Sequence, residues 1–106
     1  MCLIFPKAPS SPPEQLNGTA VSPSSVNLTW SPPPVASRNG IIREYQINIT
    51  ETDTGRVLLL YSTTSQLIVT SLHPFYTYTC RVSASTVEYG LYSESIQITT
   101  LEDGKH

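Results

Sequence analysis

The stretch Leu72-His73-Pro74-Phe75-Tyr76-Thr77-Tyr78-Thr79-Cys80 decides how this chain is read. Pro74 has no backbone N–H and a fixed φ, so a regular central strand does not run through it. Beyond it a period of two begins. Tyr78, Cys80, Val82 and Ala84 fall on one side of an extended chain, with Thr79, Arg81 and Ser83 on the other. That alternation is the mark of a strand with one buried face.

Working outward, the same pattern recurs in short segments separated by turn signals. Gln66–Val69 turns Leu67 and Val69 inward, and Val57–Ser62 precedes it as the return arm of a hairpin closed over Thr52-Asp53-Thr54-Gly55. Glu44–Thr50 places Tyr45, Ile47 and Ile49 on its inner face, and Ser25–Trp30 does the same with Val26, Leu28 and Trp30. Pro32-Pro33-Pro34 ends that strand, because proline supplies no ladder donor. Asn39-Gly40 marks a turn before the next. Leu16–Val21 reads as a first strand begun after Pro12-Pro13. Ser95–Thr100 closes the set with Ile96 and Ile98 inward, after a turn at Glu88-Tyr89-Gly90. These segments predict an all-β, seven-stranded antiparallel sandwich over residues 12–101. Residues 1–11 read as a linker and 102–106 as a polar tail.

Composition agrees. Charged residues make up 13% of the 106-residue chain, against about 25% in an average globular protein. Ser, Thr and β-branched residues are moderate helix formers that suit strands and turns. The formal net charge is −2, with the charges scattered. A basic stripe for nucleic acid and a polybasic membrane patch are both missing, so neither partner is expected. The opening MCLIF is too short for a signal-peptide core. His73 and His106 are not placed with a carboxylate or nucleophile by any catalytic motif, and the cysteines lack metal-ligand spacing. No enzyme activity and no cofactor or metal are expected.

The two cysteines, Cys2 and Cys80, bear on the fold. An immunoglobulin domain bonds the cysteine of Tyr-x-Cys to one on its second strand and carries its tryptophan on the third. Here the inward residues of the second strand are Val26, Leu28 and Trp30, so Cys80 lacks that partner and reads as a small buried hydrophobe.

The chain resembles the fibronectin type III family over most of residues 12–100. The resemblance rests on Pro12-Pro13 before Leu16, Val26-x-Leu28-x-Trp30 followed by prolines, Asn39-Gly40 then Tyr45-x-Ile47, and Leu72-x-Pro74 then Tyr78. Ala84, Gly90, Ser93 and Thr100 also fall where the family has them. It implies that Tyr78, with Leu72 and Pro74, forms a tyrosine corner whose hydroxyl bonds nearby backbone, with spare carbonyls of the crossing loop as its expected partners. It also implies that ligands, where bound, meet the loops 31–41 and 86–91, here carrying Arg38, Asn39, Glu88 and Tyr89. The phrase Asn39-Gly-Ile-Ile-x-x-Tyr45 is similar to repeats of receptor-type protein tyrosine phosphatases and neural adhesion receptors. Arg-Gly-Asp is not found, and Tyr92-Ser93 matches only half of a cytokine-receptor Trp-Ser box.

Three of the four asparagines begin Asn-x-Ser/Thr sequons: Asn17, Asn27 and Asn48. Asn27 lies between inward Val26 and Leu28, and Asn48 between inward Ile47 and Ile49, so alternation turns both outward. The expected function is that of a non-catalytic extracellular module of a plasma-membrane receptor, a spacer and protein-interaction domain. Its expected partners are neighbouring domains and a protein ligand, with no direct membrane contact. An intracellular structural repeat and a dedicated loop-based binding domain are the alternatives.

Overall fold

The computed structural model describes residues 8, 9, 11–38, 41–86 and 88–102. Inward alternation forms seven strands: β1 (Glu14–Ser22), β2 (Ser25–Ser31), β3 (Glu44–Glu51), β4 (Val57–Ser62), β5 (Gln66–Val69), β6 (Thr77–Ser85) and β7 (Ile96–Thr99). They pair antiparallel in two sheets, ordered β1-β2-β5 and β4-β3-β6-β7. A single 3-10 turn at Val35–Ser37 lies between β2 and β3.

The inner faces meet in one core. Val26, Leu28, Ile47, Cys80, Val82 and Ala84 are fully buried, with Trp30, Tyr45, Ile49, Val69, Leu72, Tyr78 and Ile98 nearly so. Trp30 meets Tyr45 edge-on, ring centroids 5.3 Å apart, the arrangement favoured by the ring quadrupoles. Leu16, Leu67 and Ile96, expected in the core, pack against it half-buried. Leu16 and Leu67 lie on the outer strands of the three-stranded sheet and Ile96 on an outer strand of the other, although Val69 and Ile98 on β5 and β7 are buried.

Gly18 also faces inward, opposite Leu28. A Cβ there would stand 2.9 Å from Leu28 Cδ2 and 3.0 Å from Ile98 Cδ1. β1 and β7 therefore close one side of the sandwich around a residue without a side chain. At the same end as the β6–β7 connection, Pro9 is buried against Gly90, so the packed body reaches back beyond residue 12.

The crossover from β5 to β6 is the tyrosine corner. Ser71 and Phe75 adopt φ of 63° and 55°, left-handed values uncommon outside glycine. They fold the segment back so that the His73 N–H donates to Tyr78 Oη at 2.9 Å. The expectation of a carbonyl partner is corrected here: in this bond the phenol oxygen accepts. The nearby His73 carbonyl is instead taken by Thr100, whose Oγ1 donates to it at 2.6 Å and accepts from the Tyr76 N–H at 3.0 Å. The buried Thr100 hydroxyl thus ties the end of β7 to the corner.

The register fixes where the chain enters and leaves. Glu14 pairs with Ser31, at the end where Glu44 meets Ser85. Thr99 pairs with Thr77, whose carbonyl accepts from Thr52 at the opposite end. The first and last strands therefore place their outer ends at opposite poles.

Candidate functional site: the outer face of the four-stranded sheet and its loop end

Period two along β3 turns Tyr45, Ile47 and Ile49 inward and leaves Glu44, Gln46 and Asn48 on the outer face. Across from them on β4 stand Tyr61, opposite Gln46, and Leu59, opposite Asn48. The β6–β7 connection folds two tyrosines back over this face. Tyr89 Oη donates to Glu44 Oε2, and Tyr92 Oη donates to Gln46 Oε1 at 2.6 Å. Gln46 Nε2 in turn donates to Tyr61 Oη at 3.2 Å. The Tyr61 and Tyr89 rings lie 6.4 Å apart, and the Arg81 guanidinium sits 4.3 Å above the Tyr92 ring, a cation–π contact.

Burial, reinforced by the hydrogen bond and negative charge of Glu44, holds the Tyr89 phenol above its ordinary range. The result is a fixed patch of aromatic rings with satisfied hydroxyls beside one cation. Tyr and Arg are the residue types that anchor protein interfaces.

Arg38 is half-exposed; its Nε donates to the Pro33 carbonyl at 2.9 Å and its backbone N–H to the Val35 carbonyl at 3.3 Å. Tyr89 is bound back onto β3 rather than held at a loop tip. Glu88 is exposed, its carbonyl accepting from the Thr86 N–H at 3.3 Å. Asn39 lies outside the described residues. The loop end also exposes apolar side chains: Val35, Ile41 and Leu91 are 77%, 84% and 62% accessible. Tyr61 and Glu44 were missed because the cluster forms across strands that are distant in sequence. Their signal was the outward parity of positions 44, 46 and 61.

The three sequon asparagines lie outside the core. Asn17 is exposed on β1, and Asn27 is half-exposed on the outer face of β2. Its Oδ1 accepts from Gln66 Nε2 at 3.0 Å. Asn48 is half-exposed, and its Oδ1 accepts from the hydroxyl of Thr50, the third residue of its own sequon, at 3.1 Å.

At the opposite pole the Glu51 carboxylate is buried, which the sequence reading did not anticipate. It continues the inward set 45, 47, 49, and that parity could have flagged it. Thr54 Oγ1 donates to Glu51 Oε1 at 2.6 Å, and His73 Nε2 lies 3.7 Å from Oε2. Both residues border a cleft of about 250 Å³ floored by Leu58, Leu60 and Val69. His73 itself is exposed, as expected of a loop residue. No group of three or more metal-ligating side chains occurs among the described residues. Among them, too, no helix is long and apolar enough to cross a membrane.

Two antiparallel sheets of three and four strands, closed by a buried tyrosine at the crossover, define an immunoglobulin-like sandwich. The fibronectin type III domain model matches residues 11–100, and the chain belongs to that family. It is 34% identical over 94 residues to receptor-type tyrosine-protein phosphatase F of Homo sapiens, covering 88% of this chain and 5% of that protein. It is 36% identical over 94 residues to protein sidekick-2 of Mus musculus, covering 84% and 4%. Among solved structures, the FN5 domain of Drosophila Lar superposes with a TM-score of 0.72 at 26% identity, covering 89% of this chain and 98% of that one. A crystal structure of titin domains superposes with 0.78 at 28%, covering 90% and 33%. The chain thus spans about one twentieth of the length of these two relatives, as a non-catalytic module.

Proposed function

We propose that this domain is an extracellular module of a multidomain cell-surface receptor, of the receptor-type tyrosine phosphatase or adhesion class. It sets the spacing of its neighbours and offers one face to a protein ligand. The observation that carries the spacer role is the placement of the first and last strands' outer ends at opposite poles. A module built this way transmits position along a string of domains. The receptor-type phosphatase relative supports the cell-surface setting, and so do sequons on outward positions of two central strands. The tyrosine–arginine patch on the outer sheet face is the ligand surface this reading favours. Any phosphatase activity would belong to another part of the parent chain.

The likeness to titin domains favours a second reading, an intracellular structural repeat. Secretion from mammalian cells, with peptide masses read before and after glycosidase, separates the two. Glycan on Asn27 and Asn48 is the expected result. Efficient secretion with every sequon bare would remove the support the sequons give.

A further inference from the structure

Sheet edges carry unpaired N–H and C=O groups, and proteins blunt them with bulges, charges, proline, short strands or covering elements. Three of the four edges here are managed. β1 has register shifts between Glu14 and Asn17 and between Ala20 and Ser22. β5 and β7 are only four residues long, and Ile96 and Ile98 of β7 also approach Gly18 of β1.

The edge of β4 shows none of these devices. Its sequence, Val57-Leu58-Leu59-Leu60-Tyr61-Ser62, has no charge and no proline, and it pairs with β3 in an unbroken register. Among the described residues no strand lies on its other side. The ladder phase follows from one bond. Glu51 N–H donates to the Arg56 carbonyl at 2.8 Å, so this in-register couple is a hydrogen-bonded pair. Pairs alternate along an antiparallel ladder, which makes Leu58 and Leu60 the residues bonded to β3. The N–H and C=O groups of Val57, Leu59 and Tyr61 therefore point to the free edge. Their side chains stand about half-exposed on the outer face, at 50%, 48% and 53%.

We propose that two copies of this chain pair antiparallel through β4, about a two-fold axis at Leu59, joining their four-stranded sheets into one. The strand is self-complementary in that register. Leu59 meets Leu59 of the second copy, and Val57 meets Tyr61 of the second copy, each a pair whose free N–H and C=O groups face one another. On the outer face this sets Leu against Leu and a β-branched residue against an aromatic one, combinations that stabilise sheets. On the inner face Leu58 meets Leu60 of the second copy. The nearest charge, Arg56, falls opposite Ser62 of the second copy, so no like charges oppose. One strand on one strand buries less than the ~1,000 Å² of a lasting interface, so the pairing is weak and concentration-dependent.

The pairing belongs to chains whose Asn48 is bare, because Asn48 lies across from Leu59 and a glycan there would crowd the outer row; the test therefore uses the whole chain made without glycosylation. Sedimentation from about 10 µM to about 1 mM brackets a weak association, with amide exchange of Val57, Leu59 and Tyr61 followed alongside. The expected result is a mass rising towards twice the monomer, with those three amides slowing together. Leu59→Lys places like charges on the axis and should weaken the association about tenfold or more. Leu91→Lys, at an exposed leucine of the β6–β7 connection, should leave it intact. A monomer throughout overturns the pairing and leaves the edge to a strand of another protein. Association that survives Leu59→Lys, or that falls equally with Leu91→Lys, overturns it as well.

Discussion

Replacing Tyr78 by Phe isolates the contribution of the corner. The ring is 1% accessible and would stay in place, so the hydrophobic contribution is retained. What is lost is the acceptor for the His73 N–H, bonded at 2.9 Å. A buried donor left without a partner costs about 1–3 kcal/mol. The His73 side chain is exposed, so water can reach the freed N–H in part, which places the expected cost at about 1–2 kcal/mol. For a domain of this size that is a fall in Tm of about 5–10 °C. In urea it is a midpoint lowered by roughly 1 M, given m of about 1–2 kcal/mol/M. Equilibrium urea denaturation followed by Trp30 fluorescence reads this directly. Tyr76→Phe is the control, since the Tyr76 hydroxyl has no hydrogen bond among the described residues and its removal should move the midpoint by less than about 0.3 M. A Tyr78→Phe midpoint equal to that of the control would refute the reasoning, because it would show that the corner is held by packing alone.

Burial pushes the Cys80 thiol up to about 12 from 9.0. The folded state keeps this proton while the unfolded chain releases it, so the associated stability is complete below pH 9 and is lost as pH rises towards 12. Denaturation midpoints should therefore fall above pH 9, and Cys80→Ala should flatten the fall between pH 9 and 10. The Tyr78 phenol, also held up chiefly by burial, adds its own loss above the ordinary phenol range. A native chain at pH 8 should leave Cys80 unlabelled by a thiol reagent over minutes and release it on denaturation; labelling at the rate of a free thiol would place it outside the core. Trp30→Ala should cost roughly 3–5 kcal/mol as a core truncation, read from the denaturation midpoint. Gly18→Val drives a side chain into Leu28 and Ile98 and should cost about 1–3 kcal/mol, whereas Gly55→Asn, at a hairpin position with φ of 76° and open space, should change stability little.

Local rules that need no partner were legible in the chain. Alternation at 26, 28 and 30, at 45, 47 and 49, and at 78, 80, 82 and 84 named the buried face of three strands. This works because the side-chain period of an extended chain is two whatever it packs against. Proline at 32–34 and 74 marked strand limits because a missing N–H acts locally. The same parity turned Asn27 and Asn48 outward.

Tertiary structure decided whatever depends on which strands become neighbours. Nothing local says that Tyr89 and Tyr92 fold back onto Glu44 and Gln46, because those partners lie 45 and 46 residues away in the chain. The direction of the Tyr78 bond depended on whether an N–H or a C=O of the crossover faced the phenol, which the left-handed turns at Ser71 and Phe75 settle. The strand order places Leu16, Leu67 and Ile96, which are half-buried, on strands at sheet edges. That order, like the open edge of β4, is fixed only when strands far apart in sequence compete for the same neighbours.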